Sequence, residues 1–229
     1  MNILKALKSL TKFEIGLWAV SVSVITASFI LSKGGDVLSF VASLIGVTSL
    51  IFLARGFAFG QVLMIIFGLI YGFISFGFAY YGEMMTYVGM TVPMAVVALV
   101  SWLRNPYESG KAEVRINRIK VTEVILMLIL TAAVTVAFYF ILAAFGTSNI
   151  LPSTLSVTTS FIAVYLTARR SPYFALAYAA NDVVLIILWV LASFSDISYI
   201  SVVICFAVFL INDLYGFVNW RKMEKRQRG

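Results

Sequence analysis

Histidine is absent from this 229-residue chain, and cysteine occurs once, at Cys205. Without histidine there is no Ser/His or Cys/His nucleophile pair, no HExxH zinc site and no histidine proton relay. One cysteine allows no intrachain disulfide and no thiol cluster, so neither a metal nor a cofactor is expected. Charge is scarce as well: 12% of residues are charged against 62% hydrophobic, and the mean hydropathy is +1.01. So few polar side chains cannot cover a soluble surface, which leaves an integral membrane protein.

What is present is apolar length. Runs approaching or exceeding the roughly 20 residues that carry a helix across a bilayer lie at about 14–32, 37–54, 57–80, 85–103, 121–145, 152–168, 173–194 and 197–219. The first follows Lys5, Lys8 and Lys12 without a small-residue cleavage site, so it is expected to stay as an anchor. Lys and Arg gather at the N-terminus, at Arg55, in 104–120 (Arg104, Lys111, Arg115, Arg118, Lys120), at Arg169-Arg170 and from Arg221 to Arg228. The alternate connections hold Lys33 with Asp36, then Glu83, then no charge in 147–151, then Asp196. Because cytoplasmic loops carry the excess of Lys and Arg, the pattern predicts an all-α polytopic membrane protein of eight helices with both termini cytoplasmic. The net charge of +7 is then a matter of topology, and no nucleic-acid partner is expected.

The polar stretch 104–120 divides the chain into halves with an even number of helices each, so any repeat is parallel rather than inverted. A shift of 118 residues places Tyr71 on Trp189, Tyr81 on Tyr199 and Trp102 on Trp220. With a small gap, Leu53-Ala54-Arg55 resembles Thr167-Ala168-Arg169.

Two carboxylates stand inside apolar helices, Asp182 after Asn181 and Asp213 after Asn212. A carboxylate in a bilayer costs at least a few kcal/mol, so it faces a partner, a bundle interior or a wet pathway. Tyr178, Asn181, Asp182 and Trp189 recur at helical spacing, a face suited to a flat heterocycle that stacks on a ring while its polar groups are hydrogen-bonded. Asn212 and Tyr215 form a second stripe, with Asn219 and Trp220 read as interfacial anchors. The first half offers Gln61, with Gly68 and Gly72 as close-approach glycines, and Tyr87 and Thr91 one turn from Pro93. Six hydroxyls lie between Ser153 and Ser160. They serve either as interhelical bonds or as a wettable wall, with Thr158 or Thr159 as pathway lining. For Asp182 and Asp213 the alternative is structural, a bond to a neighbouring Tyr or Asn or to Arg169 or Arg170.

Across about residues 38–222 the chain resembles the PnuC family of bacterial vitamin transporters. The resemblance rests on Tyr178-Ala-Ala-Asn181-Asp182 with Trp189, on Asn212-Asp213-Leu-Tyr215-Gly216 closing on Asn219-Trp220, and on Pro93-Met94 leading to Ser101-Trp102. It implies two parallel three-helix bundles joined by a linker helix, as in SWEET transporters. Mapped here, these are an N-terminal basic segment and added helix (1–36), a first bundle (37–103), a cytoplasmic loop (104–120), a linker helix (121–146), a second bundle (147–220) and a basic tail (221–229). It further implies facilitated diffusion of nicotinamide riboside across the bacterial inner membrane, trapping by a cytoplasmic kinase, and a homotrimer. Riboside-transporting members carry WxxWxxN where this chain reads Ala175-x-x-Tyr178-x-x-Asn181. That departure keeps thiamin, riboflavin or a deoxynucleoside open as the substrate.

Two other classes compete. An intramembrane enzyme would use Asp182 and Asp213 as a carboxylate pair, which requires the two close enough to share a proton; neither aspartate sits in a YD or GxGD context. An accessory subunit would bond its polar stripes to one another and leave no cavity. A transporter, and not an enzyme, is the expectation.

Overall fold

The structure, a computed structural model, describes residues 9–31, 37–77, 81–108, 112–147, 149–195 and 197–228. Lys5, Lys8, Lys33, Asp36, Lys111 and Asp196, which enter the charge pattern, lie outside the described residues, as does the side chain of Tyr81. Among the described residues eight helices are long and apolar enough to cross a membrane. They are α1 (Lys12–Leu31), α2 (Val37–Ala54), α3 (Phe59–Gly77), α4, α5 (Val121–Ala144), α6 (Ile150–Ala168), α7 (Phe174–Ser193) and α8 (Ile200–Arg226). α4 joins Tyr81–Thr86 to Val92–Leu103 through a π-helical turn, Tyr87–Thr91.

α8 outruns its apolar segment. Beyond Trp220 the chain reads Arg-Lys-Met-Glu-Lys-Arg, all good helix formers, and Glu224 pairs with Arg221 at 2.5 Å, with Arg118 at 3.6 Å and with Arg228. The end of the tail is then pinned to the central loop, where Glu113 pairs with Arg226 and Gln227 accepts the Ile116 N–H at 2.8 Å.

In the first half α3 packs on α2 and α4; in the second, α7 packs on α6 and α8. The halves close on each other twice, α2 against α8 and α4 against α6. The hydrogen bonds at the helix ends show how closely this follows a repeat. α2 and α6 finish in the same turn, with the Phe57 N–H donating to Phe52 O at 2.9 Å and the Ser171 N–H donating to Leu166 O at 3.0 Å. Both are Schellman bonds, which need a left-handed residue just inside them. That residue is Gly56 (φ 68°) in one turn and Arg170 (φ 56°) in the other. A side chain at 56 would also meet Met223 Cε at 2.8 Å. Arg170 is held instead by its own bonds, Nη1 donating to Ser101 Oγ at 2.7 Å and Nε to Arg115 O at 3.1 Å. Partial burial, then the neighbouring Arg169 and Arg115 cations, lower its guanidinium pKa from the usual value.

The carbonyls left at these helix ends are capped from the opposite half. Trp220 Nε1 donates to Leu53 O at 2.8 Å and Asn219 Nδ2 to Ala54 O at 2.8 Å. Reciprocally, Trp102 Nε1 donates to Thr167 O at 2.9 Å and Ser101 Oγ to Ala168 O at 2.8 Å. Repeat-equivalent residues thus cap repeat-equivalent carbonyls in both directions. The two indoles lie 5.3 Å apart, and Phe174 packs edge-on to Trp220 at 4.8 Å. Trp220 is fully buried, so it is no interfacial anchor; its N–H finds a helix end, not the headgroup region.

α1 and α5 also correspond. Each opens with a glutamate that pairs with the arginine ending the next helix, Glu14 with Arg55 at 3.6 Å and Glu123 with Arg169 at 2.5 Å. Glu14 is in addition the N3 member of a capping box. It accepts the Thr11 N–H at 2.7 Å, while Thr11 Oγ1 accepts the Glu14 N–H at 3.2 Å. All these contacts gather at one end of the bundle, called the basic end here because the Arg-rich tail leaves from it.

Candidate functional site

Between the halves lies a cavity with a water-accessible interior of about 90 Å³, well above the roughly 10–15 Å³ a single water requires. α2, α3, α4, α6, α7 and α8 form its wall, with Leu142 and Thr147 closing one side. It runs from mid-bundle toward Glu83 and Thr147, away from the basic end. On the basic side its floor is Tyr178, seated edge-on over Phe174 at 6.2 Å, and Phe174 in turn rests on the tryptophan pair.

Six residues singled out in the sequence meet on this wall: Tyr87, Thr91, Tyr178, Asn181, Asp182 and Asp213. Tyr87 and Thr91 open and close the π turn, where the Val92 N–H reaches back five residues to Tyr87 O. Pro93, which cannot donate to a helix carbonyl, follows at once, and the widened turn brings both side chains to the cavity. Gly68 and Gly72 make the helix contact behind it possible. A Cβ on either would lie 2.8 Å from Val92 or 2.5 Å from Val88.

Asn181 is fixed by α6. Its Oδ1 has three hydroxyls within hydrogen-bond distance, Thr159 at 2.8 Å, Ser160 at 3.0 Å and Ser156 at 3.4 Å, with the Thr159 proton shared with Leu155 O and Ser156 O. With the carbonyl side turned to these hydroxyls, the amide nitrogen is left for the cavity. These hydroxyls sit at i, i+3 and i+4, one helical face, a signal available in the sequence. Thr158 lies on another face and bonds Thr135 Oγ1 at 2.9 Å and Thr154 O at 2.9 Å.

The other predicted residues are elsewhere. Asn212 Nδ2 donates to Ser21 Oγ at 3.0 Å and Val208 O at 2.8 Å, and the Tyr215 hydroxyl donates to Glu14 Oε1 at 2.8 Å. Their stripe on α8 is intact but faces α1. Gln61 is buried one turn beyond the cavity residue Met64, and Trp189 packs on Tyr199 at 5.3 Å.

Asp213, one residue round the helix from Asn212, does reach the wall, as does Glu83 from the start of α4. The Asp182 and Asp213 carboxyl groups lie within hydrogen-bonding reach of each other, and a bond between them needs a proton on one because a carboxylate only accepts. Asp182 Oδ2 receives no hydrogen bond in the structure. Neither arginine considered as their partner reaches them, since Arg169 goes to Glu123 and Arg170 to Ser101 and Arg115. Glu83 bonds Tyr71, whose ring lies 4.6 Å from that of Tyr87. The cavity therefore joins two tyrosine faces, an oriented amide, three carboxyl groups and several hydroxyls, with no lysine or arginine among its lining residues. The carboxyl pair is near enough for acid chemistry, so geometry by itself does not separate carrier from enzyme.

Comparison with known proteins does. Residues 36–222 match the family described as nicotinamide mononucleotide transporter. The chain is 27% identical over 228 residues to the nicotinamide riboside transporter PnuC of Neisseria mucosa, covering 96% of this chain and 84% of that protein. With the nicotinamide riboside transporter PnuC of Haemophilus influenzae the identity is 23% over 190 residues, covering 82% and 81%. A crystal structure of the vitamin B3 transporter PnuC shares the fold at a TM-score of 0.81 and 22% identity, over 96% of this chain and 94% of that one.

Proposed function

The chain belongs to the nicotinamide mononucleotide transporter family, a family of membrane carriers and not of enzymes, and we propose that it carries nicotinamide riboside by facilitated diffusion. The observation that carries this reading is the oriented Asn181 amide beside Tyr178 and Tyr87 in a wettable cavity between the halves. The amide nitrogen donates to the carboxamide or ribose of the ligand, and a tyrosine stacks on the ring. The riboside fits this wall better than the mononucleotide. A phosphate brings about two negative charges, and this wall meets them with carboxyl groups and no cation, a cost that buried charge leaves uncompensated.

Transport without pumping is supported by a sequence that holds no Walker-type nucleotide site, and alternating access by a cavity set between two halves, the arrangement that rocking carriers use. Trapping by a cytoplasmic kinase then makes uptake net inward. By the excess of Lys and Arg, the basic end is cytoplasmic. The reciprocal tryptophan bonds are then the closed inner gate of a carrier whose cavity runs outward. The apolar outer face of α5 meets lipid or another copy, and the assembly is a trimer.

Calorimetry on purified protein tests the substrate across nicotinamide riboside, thiamin, riboflavin and deoxynucleosides. Saturable binding of nicotinamide riboside, lost in Asn181→Ala, is expected. Binding of another member of the panel instead would transfer the site to that ligand.

A further inference from the structure

The charge of the wall carries a finer inference, which rests on the reading of the cavity as the ligand site. Its three carboxyl groups come from different elements and from both halves: Glu83 from α4, Asp182 from α7 and Asp213 from α8. Asp182 and Asp213 lie within hydrogen-bonding reach of each other, so the pair can hold one proton between them and present one negative charge to a cation. It has no cationic partner on the wall, and Asp182 Oδ2, on a side chain only 4% exposed, accepts nothing. A buried charge without a counter-ion is costly, and here the unmet acceptor points to what fills the space. Tyr87 and Tyr178 line the same wall, and a tyrosine ring face turned to the ligand favours a cation over a neutral ring.

We propose that the cavity selects its ligand by formal positive charge, with Asp182, beside Asp213, as the specificity-determining counter-ion for a cationic heterocycle. One negative charge at the pair matches one positive charge on a pyridinium or thiazolium ring. A neutral ring of the same outline leaves the pair unmatched.

The test is calorimetric binding to the full chain in detergent of nicotinamide riboside and of its reduced dihydro form, which keeps the ribose and carboxamide but loses the ring charge. Thiamin and riboflavin serve as a cationic and a neutral ring outside the nicotinamide series. The oxidised riboside is expected to bind at least roughly tenfold more tightly than the reduced one, a gap of about 1.4 kcal/mol. Asp182→Asn, which keeps shape and removes charge, is expected to collapse that ratio toward one while still binding the reduced form, which also shows that the variant is folded. Asp213→Asn is expected to shift the ratio in the same direction, and it stands in if Asp182→Asn does not fold. Equal binding of the two forms to the unaltered protein overturns the proposal, as does a ratio unchanged in both variants. If neither nicotinamide form binds but thiamin binds in preference to riboflavin and loses that preference in Asp182→Asn, charge selection stands and the nicotinamide assignment falls. Preferential binding of riboflavin, or no binding by any ligand to folded protein, overturns charge selection as well.

Discussion

At Asn181 three hydroxyls of α6 converge on one carbonyl oxygen, so the amide cannot rotate without breaking several bonds at once. Thr159→Val removes the shortest of them, and a buried hydrogen bond is worth about 1 kcal/mol, so ligand affinity is expected to fall roughly fivefold. Thr158→Val, one residue away, is expected to leave affinity within about twofold, because its hydroxyl faces Thr135 and Thr154 and not Asn181. Titration calorimetry on both variants decides it; equal effects would contradict the role given to Thr159. The same comparison shows what was legible at this scale. Ser156, Thr159 and Ser160 share a face in the sequence, yet nothing in the sequence says which face of α6 turns inward. Asn212 and Tyr215 make the point on α8. Their stripe was visible, but this helix has polar neighbours on two sides, and Ser21 and Glu14 of α1 claim the stripe while Asp213 takes the cavity.

The helix ends matter more than the helix bodies for how the halves meet. Trp102 and Trp220 each bond a carbonyl of the opposite half, and phenylalanine at either position keeps most of the bulk but loses the donor. Leu53 O keeps the Gly56 N–H and Thr167 O the Arg170 N–H, so each replacement removes one buried hydrogen bond, about 1 kcal/mol. Trp102→Phe with Trp220→Phe is therefore expected to loosen the basic end. On a Cys205→Ser background, a cysteine placed at Ala175, just above Phe174, is expected to react faster with a water-soluble thiol reagent when both indoles are replaced. Unchanged labelling would remove the gate from the mechanism. From sequence, the match of Trp102 with Trp220 and of 53–55 with 167–169 was readable as a repeat. That the two matches bond each other crosswise was not, because repeats show equivalence and not which copy touches which. The π turn was half legible: Pro93 announced a disturbance near Tyr87 and Thr91, while the extra residue in the turn depends on packing of α4 against Gly68 and Gly72.

Across the whole molecule the eight spans follow from the lengths of apolar runs, which is why the helices match those runs closely. The exception is the last, where Glu224 and its arginines extend α8 as a charged helix beyond the apolar segment. The pairing of Glu14 with Arg55 and of Glu123 with Arg169 extends the correspondence of the halves to α1 and α5. Glu14 is fully buried and binds Thr11, Tyr215 and Arg55 together. Glu14→Ala is expected to destabilise the protein by about 2 kcal/mol, read as a lowered unfolding midpoint with ligand affinity retained. A loss of affinity without loss of stability would place α1 in the transport site instead of at its edge.

The central claim is that this family member moves nicotinamide riboside through the cavity at Asn181. Uptake of labelled nicotinamide riboside into proteoliposomes, with the unaltered protein and Asn181→Ala side by side, tests it most directly. Saturable uptake that stops at equal concentration inside and out, and disappears in the variant, is the expected result. Folded protein that gives no uptake, or a variant with unchanged kinetics, would contradict it.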